Sequence, residues 1–595
     1  MSTHSALSSA LVLVLTASLS AQVTQRMNVA TSGAQTNGFT LGYALSGDGR
    51  YVAFDSAASN LVPGDTNGAP DVFVHDRLLR TTVRVSVAPG GVQSDGSSYG
   101  PALSADGRYL AFASLATNLV VGDTNGVADV FVLDRETSAL ERISVGPGAV
   151  QADADCNSPS ISPDGRFVGF QSVASTLVPG DANGKQDVFL WDRTTSVVER
   201  VSVASNGGES NGASYGCSVS SDGRFVVFDG VATNLVPGDT NGAYDVFLRD
   251  RVNGTTERVS VDSAGAQASG GDSSGGSISA DGRYVAFGSL AGNLAPGDTN
   301  GASDVFLRDR TLGTTARVSL DANGLECAGP TFAGPMTPDA GSVLMSSYCP
   351  FVLPDTNATI DVFVRDLVAD TVERVSLSTA GVEANGETWG GALSPDARFV
   401  VFRSAATNLV DGDTNGQEDV FVRDLRATGF TSLCDPGVGL VTPCPCANPP
   451  SGPDRGCDNS SATGGAALTA TGNAYLGQDT LVFATSGEKP HALSLVVQGD
   501  LELSDGAVFG QGVRCVGGVL KRLYTKVANG GGLVVPDVSA GDPPVSLRSA
   551  LVGDVLAAGA SRFYLVYYRE TSVLAGCAGA GLFNATQTGR VVWSW

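Results

Sequence analysis

Two aspartates and an asparagine recur along this 595-residue chain in the spacing D-x-N-G-x-x-D. The sets are Asp65/Asn67/Asp71, Asp123/Asn125/Asp129, Asp181/Asn183/Asp187, Asp239/Asn241/Asp245, Asp298/Asn300/Asp304 and Asp413/Asn415/Asp419, with a seventh, Asp355/Asn357/Asp361, that has Ala in place of Gly. Oxygens one, three and seven places along a bent loop suit Ca²⁺, which takes six to eight oxygen ligands in irregular geometry. Such an ion would be structural and would pin the loops. A second chemistry fits the same residues. Asn-Gly is a turn signal, the first Asp can accept backbone hydrogen bonds, and the last can pair with an arginine at a strand start. The sequence leaves both readings open.

Other chemistry-bearing patterns carry less. Gly96–Gly100, Gly212–Gly216 and Gly271–Gly275 fit G-x-S-x-G. All three fall at one point of a repeat and none sits between a strand and a helix, as a nucleophile elbow must. A triad also needs a histidine base, and beyond His4 the chain has only His75 and His491. The Asp-Gly-Arg turns ending at Arg50, Arg108, Arg166, Arg224 and Arg283 recur with Asp-Arg pairs at 76–77, 134–135, 192–193, 250–251 and 309–310. They read as ion pairs between strands, a geometry that suits the arginine fork. Carbohydrate-binding carboxylates are the alternative.

These residues sit in a repeat of 57 to 59 residues. In its third copy "SPSIS", "FVGFQS", "DVFLWD" and "VERVSV" read as four short strands, separated by a "PDGR" turn, the acidic loop and an "RTTS" turn. Apolar residues at successive positions, as in Val72-Phe73-Val74, imply sheets buried on both faces. Seven such sheets bury each other when arranged radially. The fold class expected is all-β: a seven-bladed β-propeller followed by a small disulfide-bonded β-sandwich. "QRMNV" (25–29) matches the fourth-strand text and could close the last blade, and "FTSL" (430–433) competes for that place. "LSADGRYLAF" (103–112), "ISPDGRFVGF" (161–170) and "LSPDARFVVF" (393–402), each followed by a "DVFV-D" type strand, resemble the WD40-like repeat of TolB-type propellers. The acidic loop itself resembles the calcium loops of integrin-type propeller repeats and EF-hands, without their side chain at position five. The sixth repeat loses both the DGR turn and the Asn-Gly, so an irregular blade stapled by Cys327–Cys349 is expected there. Cys156 and Cys217 form a second candidate pair.

The net charge of -24 disfavours nucleic acid and anionic membranes as partners. Residues 1–21 read as an export signal cleaved after Ala21, and no later stretch is long and apolar enough to span a membrane. Residues 22–433 form the propeller, 434–461 a Cys/Pro/Gly-rich connector and 462–595 the C-terminal β-sandwich. Cys434, Cys444, Cys446, Cys457, Cys515 and Cys577 read as disulfides of an oxidising compartment rather than as a zinc site. "GQGVRCVGGVLKRLYTK" (510–526) is basic and reads as a solvated edge or a binding strand. These features describe a secreted, periplasmic or cell-surface propeller that binds an extracellular protein or glycan without catalysis. A polysaccharide lyase or hydrolase and a TolB-like translocation component are the alternatives. Catalysis would need convergent Asp, Glu, Arg or Tyr residues at the central channel, and divergent residues among the seven inner strands would discriminate enzyme from binder.

Overall fold

The computed structural model describes residues 23–595 except 78, 322, 380, 426–430, 434, 435, 438–440, 447, 453, 454, 472, 473, 475–478, 480, 538, 539, 557–559, 571–581, 594 and 595. The export segment, Cys434 and Cys577 lie outside the described residues. Contacts divide the chain into two units, Gln22–Leu425 and Arg426–Trp595.

Strings such as Tyr109–Ser114 and Asp129–Asp134 place β-branched and aromatic residues side by side. Glycine and asparagine stop each string. Every residue of Tyr109–Ser114 is buried, as a sheet covered on both faces requires. The first unit contains seven four-stranded antiparallel sheets. The first strands of neighbouring sheets touch all the way round, and Thr388–Leu393 of the seventh touches Thr40–Leu45 of the first. The ring is closed, and these first strands line its axis. The fold is a seven-bladed β-propeller.

Closure uses the N-terminal strand. Val23–Arg26 pairs antiparallel with Asp419–Asp424, with Arg26 opposite Phe421, just as Arg84 stands opposite Phe73 in blade 1. The competing "FTSL" segment goes elsewhere, since Thr431–Ser432 pairs with Gly589–Val592 in the second unit.

Within six blades two phenylalanines stack across the middle strands, as Phe54 on Phe73 at 5.7 Å. Between blades, arginines sandwich an aromatic ring. Tyr109 lies under Arg108 of its own blade at 5.0 Å and Arg193 of the next at 4.1 Å, and Tyr51, Phe167, Phe225 and Phe399 repeat the arrangement. The DGR glycine belongs to this seam. At Gly165 φ is +69°, and a Cβ there would come within 2.3 Å of the Tyr109 ring, so both backbone and space demand glycine. Ala397 takes φ +55° in the corresponding turn of blade 7. There the preceding blade offers Ser342 instead of a ring.

Blade 6 departs from expectation. Its sheet is regular, with Thr331–Met336, Ser342–Ser347, Asp361–Asp366 and Thr371–Arg374 in order. The Cys327–Cys349 disulfide is present. The irregularity lies in the seams, because Ser342 removes the ring and Leu367 and Leu425 stand where the next-blade arginines would be. The expected Cys156–Cys217 bridge is corrected: both thiols are free. Cys156 opens its strand and lies 3.4 Å from Ser172 Oγ. Cys217 is the fourth residue of its own strand and fills the space left by Gly169, where a Cβ would come within 2.1 Å of its sulfur.

The second unit packs a sheet built on Leu493–Gly499, Lys521–Val527, Ser561–Arg569 and Gly589–Val592 against a three-stranded sheet that includes Ala467–Thr471 and Val482–Ser486. Phe483 of one sheet meets Tyr564 of the other at 4.6 Å. Trp593 is fully buried and donates Nε1–H to Tyr564 Oη at 3.1 Å. One short helix, Val545–Leu551, follows Pro544; at seven residues it is too short to leave a helical period in the sequence. Cys444 and Cys457 are bridged, and Cys446 and Cys515 are also disulfide-bonded, so none of the four is a thiolate ligand. Among the described residues no helix is long and apolar enough to cross a membrane.

Candidate functional site

The structure brings each D-x-N-G-x-x-D set together and places an arginine inside it. In blade 1 the Arg84 guanidinium lies 3.4 Å from Asp65 and 3.2 Å from Asp71. Asp71 is fully buried and accepts from Ser86 Oγ at 2.6 Å, Ser94 Oγ at 2.8 Å and Asn67 Nδ2 at 3.4 Å. Gln93 Nε2 donates to Asp65 at 2.9 Å. Arg142 does the same for Asp123 and Asp129, Arg200 for Asp181 and Asp187, Arg258 for Asp239 and Asp245, and Arg317 for Asp298 and Asp304. Arg26, from the closing strand, does it for Asp413 and Asp419. The hub in blade 6 is looser: Arg374 stands 3.6 Å from Asp355 and 3.7 Å from Asp361.

The last aspartate of each expected ligand set is already engaged by the protein. Asp71, Asp129, Asp187, Asp245, Asp304 and Asp419 are all buried at the start of their strands, and protein donors already occupy their oxygens. Asp245 is representative. It is 0% exposed and accepts from Ser260 Oγ at 2.5 Å, from Asn241 Nδ2 at 3.0 Å and from Arg258 at 3.3 Å. The guanidinium of Arg258 holds the position between Asp239 and Asp245 that a cation would need.

The asparagines of the expected ligand sets are engaged as well. Asn67 Oδ1 accepts the N–H of Ala69 at 3.1 Å, closing an Asx turn. Asn183, Asn241, Asn300, Asn357 and Asn415 turn their oxygens to the loop in the same way, and their amide nitrogens face the aspartate. Asn125 also aims its nitrogen at Asp129. Burial, then repulsion from Asp71, raises the Asp65 carboxyl above the usual range, with Arg84 opposing. Three hubs gain a third carboxylate, Glu209, Glu326 or Glu383, and in two of them the three carboxylates could hold a metal ion. Asp298, Asp304 and Glu326, and likewise Asp355, Asp361 and Glu383, have oxygens within 4.8 Å of one another.

The DGR arginines form the expected interstrand pairs. Arg50 holds Asp76 through Nε at 3.1 Å and Nη2 at 2.7 Å, and Arg108, Arg166, Arg224, Arg283 and Arg398 hold the matching aspartates. The G-x-S-x-G serines are buried: Ser98 shares a hydrogen bond with Ser114 at 2.9 Å and Ser273 one with Ser289 at 2.8 Å. His75 is buried against Thr82, and burial pushes its pKa down to about 4.

A constellation that the motif search missed lies at one end of the channel. The first strand of every blade carries a register shift in its middle, after the second residue in four of the seven. The second residue of these strands is Leu41, Tyr99, Asn157, Tyr215, Ser274, Phe332 and Trp389 in turn. Neighbouring positions in the repeat are copied closely, whereas this one diverges and is rich in rings. Leu41, Tyr215 and Phe332 are 53%, 37% and 39% exposed. Phe332 and Trp389 lie 5.5 Å apart, and Tyr215 meets Tyr244 of its own blade's acidic loop at 6.1 Å. The acidic loops of blades 1 to 6 each hand a backbone carbonyl to the next first strand, as Pro70 does to Ser98 at 2.8 Å. The arginine hubs therefore stiffen the loops that frame this aromatic mouth.

Two carboxylates back the mouth. Asp55 accepts from Leu41, Gly42 and Gly100 N–H at 3.2, 3.0 and 2.8 Å. Asp229 has only Gly275 N–H, at 3.5 Å, and burial pushes its pKa up to about 6. Its folded pKa lies above the unfolded value near 3.9, so the unfolded chain ionises first and stability falls as pH rises from about 4 to 6. Asp229→Asn is expected to be the more stable protein above pH 6, by on the order of 2 kcal/mol. The advantage should vanish below pH 4. Urea melts across that range check it, and a constant difference at all pH values would contradict the assignment.

No family model matches the chain, and no curated relative matches it either. Solved structures similar to it include a protein described as a TolB from Agrobacterium tumefaciens, with 18% identity and a TM-score of 0.32 over 60% of this chain and 97% of that one. An oligogalacturonate lyase from Vibrio parahaemolyticus gives 11% identity and a TM-score of 0.42 over 68% and 96% of the two chains. A prolyl endopeptidase gives 12% identity and 0.41 over 76% and 54%. Likeness at this level carries no activity across to this chain.

Proposed function

We propose that this protein is an exported, non-enzymatic binding scaffold that holds a neutral glycan at the aromatic mouth of its propeller. The observation that carries the reading is the divergent ring of Tyr99, Tyr215, Phe332 and Trp389 within an otherwise copied repeat. Aromatic faces stack on the apolar faces of sugar rings, and a few polar groups such as Asn157 and Ser274 supply orientation. The acidic charge of the chain favours a neutral ligand there. Disulfides support an oxidising, extracytoplasmic location. In this reading the arginine hubs supply the positive charge that calcium would otherwise bring. Calcium keeps a place only at the three-carboxylate hubs of blades 5 and 6.

Affinity electrophoresis of the chain from Gln22 through gels containing neutral polysaccharides tests the proposal. Retardation is expected with at least one of them. Trp389→Ala or Phe332→Ala should weaken it about tenfold, which corresponds to about 1.4 kcal/mol. Release of new reducing ends would favour the hydrolase reading, and capture of basic proteins without any glycan retardation would favour a protein partner.

A further inference from the structure

The second unit carries charge of a different kind. Arg426–Trp595 holds eleven Lys and Arg residues against twelve Asp and Glu, so nearly all of the -24 belongs to the propeller. On the second unit a cavity of about 180 Å³ is lined by Val497, Phe509, Arg514, Leu520, Lys521, Arg522, Leu565 and Tyr567. Its walls are apolar and aromatic, and three of its eight lining residues are cationic.

The strands explain how the cations converge. Neighbours in a regular strand point to opposite faces, but Lys521–Val527 carries a register shift against Leu493–Gly499, with Val496 opposite Tyr524 and Val497 opposite Arg522. The shift skips Leu523 and follows both cations, and Lys521 and Arg522 line the cavity from the first two places of the strand. Arg514 reaches it from Gly512–Gly517, its guanidinium 5.2 Å from the Phe509 ring centre and its Nε buried without a hydrogen-bond partner. Phe509 in turn meets Tyr567 at 5.5 Å and Phe583 at 4.8 Å. Among the described residues, no carboxylate lies within ion-pair distance of these three cations. The acid nearest in influence, Asp554, acts on Lys521 electrostatically, yet it is held by Arg562 through two bonds of 2.8 Å and by Gln498 at 2.5 Å. Asp500 accepts the Val519 N–H at 2.9 Å.

We infer that this cavity binds one acidic sugar unit of a glycan chain, with the ring against Phe509 and Tyr567 and its carboxylate or sulfate between Arg514, Lys521 and Arg522. The volume is below the roughly 300 Å³ of sites for drug-sized ligands, which suits a single ring. An unpaired guanidinium beside an aromatic face is a recognition element for planar anions. This site lies in the second unit and selects an anionic ligand, where the mouth takes a neutral one.

The test is calorimetry on the chain from Gln22 with three oligosaccharides of equal length: one of hexuronic acids, one sulfated and one neutral. Binding of the uronate or the sulfated ligand, weakening as salt rises, is expected, with no heat from the neutral one at this site. The exposed Arg522→Glu, combined with Lys521→Glu, should weaken that binding at least tenfold with an unchanged melting midpoint, and Trp389→Ala should leave it intact. Equal binding of the neutral ligand by the Trp389→Ala chain, in which the mouth is weakened, undiminished binding in the double charge reversal, or no binding of either acidic ligand at low salt would overturn the inference.

Discussion

A chain beginning at Ala30, without Val23–Val29, is expected to lose on the order of 5 kcal/mol or more of propeller stability and to expose the edge of blade 7. Deletion removes Met27 and Asn28, which are 2% and 0% exposed. It also strips Asp419 of Arg26 at 3.0 Å and Asn28 Nδ2 at 2.8 Å, leaving a buried carboxylate with Asn415 alone. Removing one partner of a buried pair costs about 3–5 kcal/mol by itself. Urea melts of the two chains measure the loss. A synthetic peptide of Val23–Val29 added in trans should restore part of it, since the vacated edge is a template for strand addition. An unchanged midpoint would mean that the ring closes by another strand.

The second large effect is expected at a hub. Asp187→Ala should cost about 3–5 kcal/mol, because Asp187 is fully buried and binds Ser202 Oγ at 2.5 Å, Asn183 Nδ2 at 2.8 Å and Arg200 at 3.4 Å. Its companion variant separates arginine from calcium. In the natural chain EDTA should lower the melting midpoint only slightly, through the hubs of blades 5 and 6. In Arg200→Met the three carboxylates Asp181, Asp187 and Glu209, each now without the guanidinium they share, repel one another. That variant should be destabilised, and millimolar Ca²⁺ should recover part of the loss through binding to the folded state. A drop of several degrees when the natural chain meets EDTA would return the loops to calcium.

Much of this architecture was legible because duplication writes it seven times. Strand text such as DVFLWD, the turns and the blade count follow from periodicity and from apolar residues at successive positions. The arginine hub was also present in the text. Every Asp of the DVF strands in blades 1–6 is followed 13 residues later by an arginine, as Asp71 by Arg84 and Asp245 by Arg258, yet a loop read by itself suggests ligands and not partners. The choice between the two closing strands needed three-dimensional pairing, since both segments read as strands. The aromatic mouth was not legible in the sequence, because a single position that changes from copy to copy leaves no period. The second unit has no repeat to average over, so its hairpin Leu501–Phe509 with Gly512–Gly517 and its short helix escaped notice.

The closing strand has a consequence for biogenesis. Blades 1 to 6 each pair residues that are near in sequence, and each can form as soon as its own segment is available. Blade 7 joins Val23 to Asp424. A chain emerging amino-terminus first therefore presents one half of this pairing at the outset and must wait for the other until the whole propeller has followed. During that interval the first residues out are an unsatisfied strand, and the last blade is an open edge able to accept a strand from a neighbouring molecule. Exchange of Val23–Arg26 between two molecules emerging side by side would leave every blade complete and yield a linked dimer. Crowded emergence of many chains at once, more than heat, is the condition under which this protein is most exposed to misassembly.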